Sequence, residues 1–406
     1  MARVCGLPAL VRTLLVLQRN DHAGAVILTD KEAREVWHAR LSAEPRLLGY
    51  KLEWSSGMQD LPASVGRLSQ TDQVLYWPGD LTFGRHAPQM VAAKAPEGGA
   101  LVGALDGPVL LSLKALEERP ELALPQLLEA LRGAGNLEEA TLDLKPVHLL
   151  HEADTRRAEE ALLFSLRKDA DGVVANYDRY ISLFISRRLM GLPISPNWIT
   201  FGAALLGLAC GLAASVGGYW WLLAGALGFQ LNSIMDGIDG EIARAKLLES
   251  RLGQWLDTIA DDSCNLFFTV GAAVGCYNTP EWGSQFYLWL AGIIGFGFIV
   301  TAIMEYHYLI TVAHSGDLNE FRMPWEEGDD DKEEEPAQAG PVARLLQSLK
   351  FVVRRDTFVF LTTVFALVGQ LRIMVWFFAL GASVVWVTIL VYRVILPRVR
   401  GKGAGA

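Results

Sequence analysis

Residues 236–261 read DGIDGEIARAKLLESRLGQWLDTIAD, a stretch that carries four aspartates between two apolar segments. Asp236 and Asp239 stand three residues apart and Asp257 and Asp261 stand four apart, so each pair shares one face of a helix. Carboxylates near the ends of membrane helices are costly unless they bind something. Two helices joined by a short link can aim all four carboxylates at one point, and we expect them to do so.

Carboxylate oxygens at such a point suit hard divalent cations: Mg²⁺, Mn²⁺ or Ca²⁺. We expect Mg²⁺ or Mn²⁺, as one ion or as a two-metal site, because these ions neutralise a diphosphate and stabilise charge in phosphoryl transfer. Gly240, Ala243 and Gly253 leave room for a ligand close to the backbone, and Arg244 can donate a fork of hydrogen bonds to a phosphate. Helix caps and salt bridges at a membrane surface are the alternative interpretation. Four aspartates interleaved with small residues favour the metal site.

The two ends of the chain differ in composition. The first 170 or so of the 406 residues have ordinary soluble composition, whereas long apolar runs dominate from about residue 197. A bilayer core about 30 Å thick requires about 20 apolar residues in a helix, and we predict six transmembrane segments. They cover about 198–215, Trp220 into the aspartates, about 260–277, about 286–312, about 357–371 and about 373–396. The predicted fold is a soluble α/β N-terminal domain followed by an all-α membrane domain.

Lys and Arg concentrate on one side of these segments. Arg244 and Arg251 lie between the second and third segments, whereas residues 215–219 and 277–285 contain neither residue type. The positive-inside rule therefore predicts that both termini and the aspartates lie on the cytoplasmic side. An acidic run within residues 315–345 is predicted to be a solvated cytoplasmic loop.

Residues 169–196, ahead of the first apolar segment, are predicted to form a juxtamembrane amphipathic helix. Its apolar residues can share one face, with Arg179, Arg187 and Arg188 elsewhere. These arginines are candidates for binding a phosphate of the acceptor, and the alternative is that they contact anionic lipid headgroups. Asn197 is predicted to cap the first spanning helix.

Residues 1–168 alternate strand-like runs with helix-like ones. AVILT at 25–29 and QVLYW at 73–77 have the pattern of buried strands, and Leu10–Arg19 and Leu124–Arg132 that of helices. Alternation of this kind predicts an α/β domain with a mainly parallel sheet.

The stretch 236–261 also matches, position for position, the signature D-x2-D-G-x2-A-R-x8-G-x3-D-x3-D of the CDP-alcohol phosphatidyltransferase family. The resemblance extends over roughly residues 170–398, and we assign the membrane domain to 197–400. It implies that an acceptor hydroxyl displaces CMP from a CDP-linked donor, with a divalent metal, in a homodimer. It implies metal ligation by Asp236, Asp239, Asp257 and Asp261, a general base at Asp261, and a CDP site lined by Gly240, Ala243, Arg244 and Gly253. Asp262 points about 100° away on a helix and is left out of the site.

The N-terminal half resembles a second family, the sugar-phosphate nucleotidyltransferases. The run that begins at Gly6 (GLPALVRTLL) is similar to the segment after their Gly-rich nucleotide loop, and Pro78-Gly79-Asp80 resembles their metal-binding strand end. The combined arrangement resembles the bifunctional inositol-phosphate cytidylyltransferase and di-myo-inositol phosphate phosphate synthases. The Gly-rich loop should precede Gly6, where only Met1–Cys5 stand. Either the chain begins late or the domain has lost activity, and we expect a degenerate domain.

These features predict an enzyme that transfers a phosphoryl-alcohol group from a CDP-activated donor to a polar alcohol or sugar-phosphate acceptor. The transfer would serve phospholipid or inositol-phosphate synthesis. The alternatives are a bifunctional enzyme that also forms CDP-inositol, and a catalytically vestigial membrane scaffold. Membrane lipids are expected partners, and the net charge of −9 argues against nucleic acid. The four cysteines form no C-x-x-C pair, so neither a disulfide framework nor a zinc site is predicted.

Overall fold

A computed structural model describes residues 3–69, 72–82, 86–93, 100–102, 108–139, 147–149, 151–165, 173–321 and 355–391. The chain divides into two compact units: residues 1–166 with the short segments 190–192 and 245–247, and the remainder of the chain. The predicted boundary at residue 168 lies outside the described residues.

The N-terminal unit mixes helices and short strands. Its strands are β1 (Arg3–Val4), β2 (Leu7–Pro8), β3 (Gly24–Leu28), β4 (Lys51–Ser55), β5 (Gln73–Tyr76), β6 (Leu81–Thr82), β7 (Ala100–Val102), β8 (Val109–Ser112), β9 (Leu137–Glu139) and β10 (Val147–His148). Its helices are α1 (Ala9–Arg19), α2 (Lys31–Ser42), α3 (Leu61–Leu68), α4 (Ala87–Ala92), α5 (Leu113–Glu118), α6 (Leu124–Gly133) and α7 (Glu152–Ser165). The predicted strands at 25–29 and 73–77 and the two predicted helices are confirmed as β3, β5, α1 and α6.

The strand pairing is mixed, so the prediction of a mainly parallel sheet is wrong for the described residues. β3 pairs in parallel with β4, and β7 with β9. The other pairings, β1–β2, β6–β10, β5–β8 and β7–β8, are antiparallel. The connection from Val102 to Val109 is too short for the crossover that neighbouring parallel strands require, which makes β7 and β8 antiparallel.

The second unit is helical. It contains α8 (Val173–Leu189), α9 (Pro196–Val216), α10 (Tyr219–Lys246), α11 (Arg251–Asn278), α12 (Phe286–Tyr308), α13 (Arg355–Leu367) and α14 (Leu371–Leu390), and a π-helical turn extends α12 over Leu309–Ala313. The predicted juxtamembrane helix is present as α8. The predicted cap at Asn197 is wrong, because α9 begins at Pro196 with Ser195 in the cap position. Proline is favoured at a first helical position, where its missing N–H goes unused.

Three helices of the described residues are long and apolar enough to cross a membrane: α9, α12 with its extension to Ala313, and α14. The other three predicted segments coincide with α10, α11 and α13. Polar and acidic side chains lower the hydropathy of α10 and α11, and α13 has only 13 described residues. Six spans are therefore not confirmed, and the sidedness stays a prediction. The acidic run beyond Phe321 lies outside the described residues.

An apolar core holds α9, α10 and α11 together and so positions the aspartates. Phe229 of α10 stacks on Phe268 of α11 with ring centroids 4.2 Å apart, and both side chains are fully buried. A methyl group at Gly211 of α9 would lie 2.5 Å from the carbonyl oxygen of Phe267. Glycine is thus required where α9 crosses α11, since the two backbones approach too closely for any side chain.

Candidate metal centre

Three carboxylates meet between α10 and α11. One oxygen from each of Asp236, Asp257 and Asp261 lies within 4.8 Å of the other two, and all three side chains are partly buried. Like charges at such distances repel strongly away from bulk water. The arrangement is therefore stable only with a compensating cation or with shared protons.

A short link between the two helices brings these residues together. Leu247 has a φ of 54°, the left-handed conformation that commonly ends a helix. The hydroxyl oxygen of Ser250 then accepts a hydrogen bond from the Gly253 N–H at 3.0 Å and caps α11. The chain reverses within a few residues, and Asp236 faces Asp257 and Asp261.

Asp239 lies apart from this group of three oxygens. Its side chain is only 4% exposed, and its Oδ2 accepts a hydrogen bond from the Thr200 hydroxyl of α9. Its Oδ1 is buried without a hydrogen-bond partner among the described residues. Metal ligation by Asp239 stays a prediction, and Thr200 is the residue that orients this carboxylate.

Arg355, at the start of α13, bridges two of the converging carboxylates. Its Nη1 donates a hydrogen bond to Asp236 Oδ2 at 3.0 Å and another to Asp261 Oδ2. The Arg355 side chain is 22% exposed, so this ion pair is largely shielded from water. The compensating positive charge in this structure therefore comes from the chain itself.

A cavity of about 120 Å³ opens beside Asp236. Arg179 of α8 and Arg244 of α10 both line it, which places two of the sequence-predicted phosphate-binding residues next to the carboxylates. Asp178 lies on the same wall. Burial, with a smaller contribution from the Asp356 carboxylate, raises the pKa of Asp178 to about 6, although the Gln230 amide donates hydrogen bonds to it.

Glu241 fastens α8 to α10 beneath this cavity. Its carboxylate is 1% exposed and accepts hydrogen bonds from the hydroxyls of Ser182 and Ser186, at 2.5 and 2.6 Å. The two serines are one helical turn apart on α8, so both reach the same carboxylate. This contact holds Arg179 and Arg244 on a common cavity.

The small residues predicted to line a CDP site occupy crowded positions on α10 and α11. A methyl group at Gly240 would lie 3.0 Å from Arg244 Nη1, and one at Gly253 would lie 3.1 Å from the Ser250 hydroxyl. Ala243 is half-buried on the same helix as Arg244. The small size of Gly240 and Gly253 leaves room for the side chains of Arg244 and Ser250, and the role of these residues toward a nucleotide stays a prediction.

The remaining candidates lie apart from this cavity. Arg187 and Arg188 are exposed, and the Arg188 guanidinium sits 3.7 Å from the centroid of the Phe184 ring. Asp262 accepts a hydrogen bond from the Tyr306 hydroxyl at 2.8 Å and does not join the three-oxygen group.

In the N-terminal unit, the residue predicted to resemble a metal-binding aspartate has a different partner. Asp80 Oδ2 lies 2.8 Å from Nδ1 of His148, and both side chains are about 40% exposed. Among the described residues, Asp80 belongs to no group of three side chains that could hold a metal ion together.

Sequence reasoning missed two features of the site. It did not pair Arg355 with the aspartates, because 94 residues separate Arg355 from Asp261. It also overlooked the clamp of Glu241, although two serines four residues apart on an amphipathic helix were a visible signal.

The residues present fit a hard divalent cation. The converging donors are all carboxylate oxygens, the ligands that Mg²⁺ and Mn²⁺ prefer. Asp257 Oδ1 is buried without a hydrogen-bond partner among the described residues, and a cation would satisfy it. Three carboxylates within reach of one another supply more negative charge than the single Arg355 offsets.

Comparison with known proteins addresses the same region. Residues 193–320 match the model of the CDP-alcohol phosphatidyltransferase family. A protein of Thermococcus kodakarensis named bifunctional IPC transferase and DIPP synthase is 37% identical over 131 residues, which cover 32% of this chain and 29% of that relative. A protein of the same name from Aquifex aeolicus is 30% identical over 157 residues, 38% of this chain and 34% of the relative.

A third relative has a different name. Cholinephosphotransferase 1 of Gallus gallus is 30% identical over 99 residues, 22% of this chain and 30% of the relative. The matched part of this chain therefore spans about a third of the length of these relatives. The family match includes all four aspartates of the predicted signature. Residues 193–320, which carry the converging carboxylates on α10 and α11, are therefore similar to the CDP-alcohol phosphatidyltransferases.

Proposed function

We propose that this protein transfers a phosphoryl-alcohol group from a CDP-activated donor to the hydroxyl of an acceptor alcohol and releases CMP. The observation that carries the proposal is the convergence of Asp236, Asp257 and Asp261, each with an oxygen within 4.8 Å of the others, inside the family domain. A soluble binding module has no need of buried, mutually repelling carboxylates, whereas phosphoryl transfer requires a site that collects cations.

Asp236, Asp257 and Asp261 would hold Mg²⁺ or Mn²⁺, as one ion or two, with Asp239 as the fourth ligand. When bound, the metal neutralises the diphosphate of the donor and the charge that develops on it. Asp261 also takes the proton from the acceptor hydroxyl at a carboxylate oxygen as attack proceeds. Its place on the rigid α11, opposite Asp236, suits both tasks.

Arg244 and Arg179 bind phosphate groups within the cavity beside Asp236. Arg244 belongs to the CDP side of the site, next to Gly240, where the family resemblance puts the nucleotide. Arg179, from the juxtamembrane α8, is the best placed of the three predicted acceptor-binding arginines because it lines this cavity. Both are held there by the hydrogen bonds between Glu241 and the serines of α8.

The donor and acceptor belong to inositol-phosphate or phospholipid synthesis, and we favour the inositol branch. The relatives named bifunctional IPC transferase and DIPP synthase belong to the class that the N-terminal resemblance suggested. The bifunctional alternative, in which the N-terminal unit also forms CDP-inositol, is not favoured by a described site there. The active site faces the cytoplasm, membrane lipids surround the domain, and a homodimer stays the expected assembly.

A donor panel tests this function. Purified full-length protein is supplied with CDP-inositol or CDP-diacylglycerol, each with inositol phosphate or glycerol phosphate, in Mg²⁺ or Mn²⁺, and CMP release is measured. We expect CMP from at least one donor and acceptor pair in wild type and none from Asp261→Asn. Absence of CMP from every pair, with metal present, would favour the vestigial scaffold instead. CTP turnover by the same preparation would support the bifunctional alternative.

A further inference from the structure

The three nitrogen atoms of the Arg355 guanidinium differ in their hydrogen bonding. Nη1 donates to both Asp236 Oδ2 and Asp261 Oδ2, which it can do because it carries two hydrogens. Nε and Nη2 are buried, and neither has a hydrogen-bond partner among the described residues. An unsatisfied buried donor destabilises the fold, and more so when it is charged. The guanidinium is thus well placed for the carboxylates and poorly satisfied elsewhere.

The contacts of Arg355 coincide with those expected of a metal. Asp236 and Asp261 are two of the three residues whose carboxylate oxygens converge. Each of them accepts a hydrogen bond from Arg355 at its Oδ2 atom. A guanidinium in this position offsets part of the repulsion between the carboxylates. It also competes with a divalent cation for the carboxylates of Asp236 and Asp261, and Asp261 is the residue proposed to take the proton. The Arg355-bound arrangement is therefore incompatible with the full proposed mechanism.

We propose that Arg355 is an internal counter-ion that exchanges with the metal. In the metal-free protein it holds Asp236 and Asp261 together. When a divalent cation binds the three carboxylates, Arg355 gives up both contacts and its guanidinium becomes available to a phosphate of the substrate. This inference rests on the proposed function, because it assumes that the carboxylates bind metal.

The exchange explains why Nε and Nη2 have no hydrogen-bond partner among the described residues. These two nitrogens form one edge of the guanidinium, the geometry that binds two oxygens of a phosphate side by side. A residue that served only to neutralise the aspartates would gain nothing from leaving this edge without a partner. Lysine at this position would keep the charge but could not offer such an edge.

Metal binding in the absence of substrate tests the exchange. Mn²⁺ is titrated into purified full-length protein, and free Mn²⁺ is followed by its electron paramagnetic resonance signal. We expect Arg355→Gln to bind Mn²⁺ at least about tenfold more tightly than wild type, because the competing cation is gone. Arg355→Lys should show a smaller gain, about threefold. The matched control is Arg372→Gln, an exposed arginine hydrogen-bonded to Gln370, which should leave the Mn²⁺ affinity unchanged.

Thermal unfolding provides a second measurement, made without metal and then with Mn²⁺. Without metal, Arg355→Gln should melt at a lower temperature than wild type, because the carboxylates lose their counter-ion. With saturating Mn²⁺ it should gain more in melting temperature than wild type gains. A merely structural arginine would lower the metal-free melting temperature without raising the Mn²⁺ affinity of either variant, and that result overturns the exchange. Should Arg355→Gln not fold, the affinity of Arg355→Lys decides alone.

The two proposals fail differently. If wild type binds no Mn²⁺ and releases no CMP from any donor, the proposed function itself is lost. If wild type releases CMP but neither Arg355 variant binds Mn²⁺ more tightly, only the counter-ion exchange is wrong.

Discussion

The aspartates singled out in the two units of the chain differ in their partners. In the helical unit, Asp236, Asp257 and Asp261 converge, and Arg355 bridges two of them, Asp236 and Asp261. In the N-terminal unit, Asp80 follows β5, keeps about 40% of its side chain exposed and pairs with His148. An acidic residue at the end of an element is common, and it becomes a strong candidate for chemistry only when others are aimed at the same point. Convergence between elements, rather than the presence of an aspartate, separates the two regions.

Matched substitutions in the two units would test this contrast most strongly. Asp257→Asn replaces one converging carboxylate by an uncharged side chain of nearly the same shape. We expect CMP release to fall by roughly 1,000-fold or more, as when an essential electrostatic group is lost. Asp80→Asn should leave CMP release within about twofold of wild type. Equal losses in both variants, measured at saturating Mg²⁺, would remove the functional distinction between the units.

The buried clamp of Glu241 should matter more for stability than exposed ion pairs of the other unit. Replacing both Ser182 and Ser186 by alanine leaves a buried carboxylate without its two donors. We expect a loss of roughly 3 kcal/mol or more, since hydrogen bonds to charged groups contribute about 1.5–3 kcal/mol each. The measurement is thermal unfolding in detergent.

The control for the clamp lies in α5. Glu118→Gln breaks an exposed pair with Lys114, whose atoms are 3.8 Å apart, and should change stability by less than about 0.5 kcal/mol. A double serine variant as stable as this control would show that α8 is held by apolar packing instead.

The Thr200→Val variant tests whether the orientation of the Asp239 carboxylate matters for activity. The substitution keeps the shape but removes the hydroxyl of Thr200 that donates a hydrogen bond to Asp239 Oδ2. Loss of such an outer partner typically costs about 10–100-fold, and we expect kcat to fall within that range. Thr362→Val, whose hydroxyl bonds only the Phe358 carbonyl of its own helix, is the matched control. Equal activity of the two variants would argue against a role for Asp239.

Asp178 should give the smallest effect, in the pH dependence of stability. Its pKa is raised to about 6 from a usual 3.8, so the folded state holds this proton more tightly than the unfolded state. The contribution to stability is therefore present below the unfolded value of 3.8 and is lost as pH rises through about 6. Asp178→Asn should shrink the difference in melting temperature between pH 4.5 and pH 7.5. Identical pH profiles would place Asp178 in contact with water.

The sequence pattern predicted those features that depend on a single helix or strand. Apolar runs and periodicity located the helices of the second unit and, in the N-terminal unit, α1, α6, β3 and β5, because alternation and helical spacing depend only on neighbouring residues. Strand pairing was predicted poorly, since the direction of β7 against β8 depends on a connection and not on either strand. The number of membrane spans also stayed open, because α10 and α11 replace apolar residues with the polar side chains of the site.

The spacing of Asp236, Asp239, Asp257 and Asp261 already implied two acidic helical faces joined by a short link, together with the chemistry such faces support. Helix geometry is enough for that, because it relates residues three and four apart. Only the folded chain could reveal that Asp239 turns to Thr200 and that Arg355 enters the cluster. These contacts join residues 39 and 119 positions apart, and such pairings depend on how helices pack and not on any local pattern.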